Sequence, residues 1–93
     1  MTEEKVKRIV RIVRNYIENK IGGIKINGYF KYKNTLLIAE TRSINEEKEF
    51  ITTVTDLFKQ ANLECDITSN NAVCIQTKDI IAIYGLLRLQ GEI

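Results

Sequence analysis

The sequence predicts a single α+β domain in the order helix, hairpin, helix, hairpin, helix (αββαββα), with a four-stranded antiparallel sheet and its helices on one face. Three observations predict it. Apolar residues recur at helical spacing in three separate segments, two stretches of strand-like alternation lie between them, and 93 residues leave room for one core only, spanning 1–93.

The first helix is expected over Glu3–Ile21, where Val6, Ile9, Val10, Val13, Tyr16, Ile17 and Ile21 follow three-and-four spacing. Gly22-Gly23 supplies its stop. Beyond it, Ile24 and Ile26 alternate with Lys25, and Phe30 and Tyr32 with Lys31 and Lys33. Asn27-Gly28 is a hairpin-turn signal and Lys33-Asn34 a second one, so this stretch holds two or three strands. The preferred reading is one bent or bulged strand over 25–33 and another over 35–41. Ser43-Ile44-Asn45-Glu46 forms a capping box for a second helix, with Phe50, Ile51, Val54, Leu57, Phe58 and Ala61 as its apolar stripe and Asn62 as its end. Two short strands, 64–68 and Ala72–Gln76, flank the turn Ser69-Asn70-Asn71. Thr77 or Asp79 is expected to cap a third helix that runs to Leu89 and stops at Gly91.

Charge is unevenly distributed. Residues 1–42 hold ten Lys or Arg against four acids, net +6, whereas residues 43–93 hold four against eight, net −4. A basic N-terminal half attracts phosphate backbones or an acidic partner. Lys7, Arg8, Arg11 and Arg14 form a basic stripe on the first helix, for which, taken alone, a plain solvated face is the preferred reading. On the first strand, alternation that buries Phe30 and Tyr32 gathers Tyr29, Lys31 and Lys33 on the opposite face, with Lys25 and Asn27 beside them. Interleaved cations and aromatics on an open sheet face stack on bases and follow phosphates. Glu64 and Asp66 are expected on that same face, so the platform is not uniformly basic.

The chain contains no His, which removes the commonest general base and metal ligand. Cys65, flanked by Glu64 and Asp66, and Cys74 have no His anywhere in the chain to complete a zinc or nucleophile constellation. Either they pair across the second hairpin or, as preferred in a reducing compartment, they serve as small hydrophobes. No enzyme activity, metal or cofactor is therefore expected. With no apolar run of about 18 residues and no basic-then-apolar start after Met1-Thr2-Glu3-Glu4, a cytoplasmic protein without membrane contact is expected. A core this small gains stability from a partner subunit, and a homodimer would supply one.

From Tyr29 onward the chain resembles the LAGLIDADG homing-endonuclease fold, most nearly the homing-endonuclease-like part of the WhiA regulators. The likeness lies in Thr35-Leu36-Leu37-Ile38-Ala39-Glu40-Thr41 as a strand, Glu47 to Leu63 as the following helix with Leu57-Phe58 near its end, Cys65-Asp66-Ile67 and Val73-Cys74-Ile75 as a hairpin, and Lys78-Asp79-Ile80-Ile81 opening the last helix. The resemblance implies DNA in the concave face of the sheet. Lys20-Ile21-Gly22-Gly23 stands where that family carries a metal-binding acid before glycine, and Glu18 is the nearest carboxylate. The implied module is thus a cleavage-dead DNA binder.

The expectation that results is a small non-catalytic regulator that binds nucleic acid, DNA before RNA. Its contacts are Lys25, Asn27, Tyr29, Lys31, Lys33 and Arg42, with Lys7, Arg8, Arg11 and Arg14 as a secondary stripe. The competing expectation is an interaction module that docks an acidic protein through the basic first helix or a sheet edge.

Overall fold

A computed structural model describes residues 2–93. The chain runs α1 (Glu3–Ile21), β1 (Lys25–Lys31), β2 (Asn34–Glu40), α2 (Ile44–Gln60), β3 (Asp66–Ser69), β4 (Ala72–Gln76) and α3 (Thr77–Leu89). All strand pairs are antiparallel, in the sheet order β1-β2-β4-β3. The αββαββα domain is therefore as the sequence predicts, with β1 and β3 at the edges. No helix among the described residues is long and apolar enough to cross a membrane.

Each helix ends for a local reason. Thr2 accepts the Lys5 N–H at the start of α1, and Gly22 closes that helix at φ 81°. Ser43 accepts the Glu46 N–H at the start of α2. Glu46 does not reach back to Ser43 as a capping box would have it; its carboxylate takes the Arg42 N–H at 2.7 Å and the Arg42 guanidinium at 3.3 Å. At the far end of α2, Asn62 adopts φ 60°, Asn62 N–H bonds the Lys59 carbonyl and Leu63 N–H bonds that of Phe58. Gly91 does the same for α3, with Glu92 N–H on the Leu87 carbonyl. The expected side-chain cap of α3 is absent: Gln76 occupies the cap position, Thr77 is already helical, and the Thr77 N–H is used by the Lys33 carbonyl at 2.7 Å.

The first hairpin corrects two sequence expectations. β1 ends at Lys31, and Tyr32-Lys33 make a two-residue turn in which Tyr32 takes φ 58°. Tyr32 is therefore not buried beside Phe30 but 79% exposed, and Lys33 leaves the strand face. Asn27-Gly28 lies within the strand, although its sequence favours a turn. The pairing Ile26↔Ala39, Gly28↔Leu37 and Phe30↔Thr35 puts the residues with least contact with water on one face, and turning at 27–28 would forfeit it. The lack of a side chain at Gly28 lets α1 lie close: a Cβ there would stand 3.4 Å from Val10 and 3.5 Å from Leu37. In the second hairpin β3 begins only at Asp66, leaving Glu64 outside the strand.

The core joins Val6, Ile9, Val10, Val13 and Ile17 of α1, Phe50, Val54, Leu57 and Phe58 of α2, and Ile80, Ile83 and Leu87 of α3 to the inner face of the sheet. That inner face consists of Ile26, Leu37, Ala39, Val73 and Ile75. Replacing Leu37, fully buried, by Ala is expected to cost about 2–5 kcal/mol. Leu36→Ala, on the opposite face of the same strand, should cost markedly less, and urea unfolding of both variants measures the contrast. A pH dependence follows from Glu46. Chiefly the Arg42 N–H, then the guanidinium, holds this carboxyl below its ordinary value. The stabilisation is present above the unfolded carboxylate pKa and is lost as pH falls through the depressed one. Amide exchange in the first turn of α2 is expected to accelerate over that acid range, and to become insensitive to it in Glu46→Gln.

Candidate nucleic-acid interface

α1 and β1 run side by side, and this brings together two basic features that the sequence keeps apart. Lys7, Arg11 and Arg14 share one helical face, being four and three residues apart. With Gly28, Tyr29 and Phe30 of β1 they line a groove of about 420 Å³. Phe30 also borders a second hollow of about 360 Å³, lined further by Glu3, Val6, Tyr32, Lys33 and Thr77. The two hollows are separate but share Phe30, and they succeed one another as an interrupted furrow beside β1, from Gly28 to the hairpin tip. Lys33 closes it, its ammonium 5.4 Å from the centre of the Tyr32 ring.

The backbone contributes donors. Ile26 turns its N–H away from β2, where the Glu18 carboxylate accepts it at 2.7 Å. By the two-residue repeat of an antiparallel edge, Gly28 and Phe30 direct their N–H groups the same way, into the furrow. Arg14 adds a further donor: its Nε is buried and has no acceptor among the described residues. Lys7 forms an exposed pair with Glu3 at 3.3 Å, which holds it weakly.

The other expected contacts are dispersed. Lys25, Asn27, Tyr29 and Lys31 do share the uncovered face of β1, and Tyr29 is 57% exposed. However, Lys25 stands opposite Glu40, and the Asn27 amide donates to Glu40 at 3.2 Å. Arg42 lies beyond β2, near Lys25 and far from the hairpin tip, and pairs with Glu46. Arg8 turns from the furrow toward Thr2, Glu4 and Lys5. The middle of the uncovered face is apolar rather than basic, formed by Leu36 and Ile38. Asp66, opposite Cys74, adds an acid to it as expected.

Glu18 and Glu40 have separate hydrogen-bond partners, Ile26 N–H and Asn27 respectively. Among the described residues no three His, Cys, Asp or Glu side chains gather in a way that would hold a metal ion. Both cysteines are free and half-buried. Cys74 opposes Asp66 on the uncovered face, whereas Cys65, one residue earlier, packs against the core, so the pairing across the hairpin does not form. Burial, and then the Asp66 charge, push the Cys65 thiol above its ordinary pKa. Cys65 is accordingly expected to alkylate slowly at neutral pH, gaining rate only at a pH above that of a free thiol, as mass spectrometry of an iodoacetamide time course would register.

No protein-family model, curated protein or solved structure matches the chain.

Proposed function

We propose that the protein binds nucleic acid, DNA before RNA, with the phosphate backbone lying along the α1–β1 edge. The observation that carries this reading is the convergence of Lys7, Arg11, Arg14 and Lys33 on an interrupted furrow that also holds outward backbone donors and the exposed ring of Tyr32. Cations spaced along a groove neutralise successive phosphates, and aromatic rings at its margin accept stacked bases. The guanidinium of Arg14, a residue lining the groove, would add charge-assisted hydrogen bonds to phosphate. This placement departs from the LAGLIDADG resemblance, which sets DNA on the sheet face. Leu36 and Ile38 at the centre of that face, and Asp66 at its rim, suit phosphates poorly. Lys25 and Lys31 would contribute from the outer side of β1 as long-range charge.

Binding of this kind is mostly positional and non-catalytic. Fluorescence anisotropy with labelled duplex and single-stranded DNA, over a series of salt concentrations, tests it. Lys7→Ala/Arg11→Ala/Lys33→Ala alters exposed side chains and should leave the fold intact by circular dichroism. The variant is expected to lower the salt slope for duplex DNA by about 2–3 units, at roughly 0.9 per lost phosphate contact. Equal binding by variant and parent, or no binding at low salt, defeats the reading.

A second reading rests on the same edge. Gly28 and Phe30 offer their N–H groups to an added strand, so an extended acidic segment of another protein would pair with β1 while its carboxylates meet Arg11 and Arg14. Amide shifts separate the two. An added strand moves Gly28 and Phe30 most, whereas DNA moves the residues around Lys7, Arg11 and Lys33.

A further inference from the structure

The two central strands are apolar on both sides. In β2, Thr35, Leu37 and Ala39 face the core while Leu36 and Ile38 point away; in β4, Val73 and Ile75 face the core while Ala72 and Cys74 point away. Strands of this composition belong where both faces are covered, yet all three helices contribute to a core on one side only. Leu36 and Ile38 stand outside that core. Because Leu36 pairs with Cys74 and Ile38 with Ala72, the four side chains form one unbroken apolar strip along the middle of the uncovered face. The strip is bordered by charge of opposite sign: Lys31 stands next to Tyr29 on β1, Lys25 lies further along that strand opposite Glu40, and Asp66 stands on β3.

We infer that this face packs against the same face of a second copy, forming a homodimer whose two-fold axis runs parallel to the strands between β2 and β4. The charge pattern selects both the occupant and the axis. Half a turn about that line lays β1 of one copy over β3 of the other and β2 over β4. Asp66 of each copy then faces Tyr29 of the other, with the long side chain of Lys31 two residues along as its nearest cation, at both margins, while Leu36 covers Cys74 and Ile38 covers Ala72. An axis across the strands would instead stack β1 on β1 and oppose lysines. The arrangement is isologous, as a closed dimer requires, and two sheets so stacked sit about 10 Å apart. A nucleic acid would find no cations along the strip, and Asp66 at one margin would repel it.

Four strands span roughly 19 Å, so the dimer buries on the order of 1,000 Å² in total, near the low end for specific association. Its formation should consequently depend on concentration. The furrow on the α1 side of β1 remains open in the dimer, and the inference does not depend on what that furrow binds.

Sedimentation velocity over a concentration series tests the dimer. The parent is expected to move from monomer toward twice the mass. Ile38→Lys places a charge in the strip at a half-exposed position outside the core, and should remain monomeric. Asp66→Lys should weaken association by roughly tenfold, and Asp66→Lys/Lys31→Asp should restore it, because each new charge again meets its opposite. In parallel, alkylation of Cys74 should slow as concentration rises while that of Cys65 does not, a readout that needs no substitution and holds even if Ile38→Lys does not fold. A parent that is monomeric throughout with no protection of Cys74, or a dimer indifferent to Ile38→Lys, overturns the inference. A charge exchange that fails to restore association overturns the stated axis.

Discussion

Leu37 and Val73, paired across β2 and β4 and both inaccessible to water, set the geometry on which everything else hangs. They lie on the inner face of the sheet, and all three helices bring their apolar stripes to the same core. A domain of this size has helix enough to cover one face and no more. Side-chain alternation then fixes what every other strand residue must do: a one-residue slip of β2 would exchange Leu37 for Leu36 and turn Thr35 and Ala39 outward. The register thereby also determines the composition of the uncovered face, which no helix selects.

α1 has a second role beyond filling the core. Its buried residues hold it along β1, and the close approach permitted at Gly28 brings Arg14 within reach of the strand. The basic stripe that follows from helical spacing is thus no free solvated face throughout. Three of its cations line the groove beside a free strand edge, while Arg8 turns to a neighbouring hollow that Arg11 also borders. The acidic C-terminal half lies mainly on α2 and around β3, so the charge imbalance along the chain becomes a spatial one, with β1 basic and β3 acidic.

Much of the fold was legible because helical spacing and capping act locally. The bounds of α1 follow from its apolar spacing and from Gly22-Gly23, and those of β4 from the Ser69-Asn70-Asn71 turn and the start of α3. The first hairpin was legible only in part. Asn27-Gly28 carries the stronger turn chemistry, but burial of Ile26 and Phe30 overrides it and forces an unfavourable positive φ on Tyr32. The cap of α3 was misplaced because Thr77 is recruited by the hairpin tip through the Lys33 carbonyl, a contact 44 residues distant that no local pattern announces. For the site, the cations themselves were visible, but their union needed the path of α1 over β1. The apolar strip had a visible signal in Thr35-Leu36-Leu37-Ile38-Ala39, a run without polar alternation, which is the mark of a strand with two buried faces.

Glu18 has a consequence for how the molecule behaves when crowded. An exposed strand edge is a template on which further copies can add and grow into ribbons. At the β1 edge the first outward donor is already occupied by the Glu18 carboxylate, and the lysines and arginines beside it repel the same edge of another molecule. The opposite edge is protected by other means, since β3 has four residues and its register breaks between Ile67 and Ser69. Both edges are thus unsuited to adding further copies of this same chain, which works against the open-ended stacking that leads to fibres.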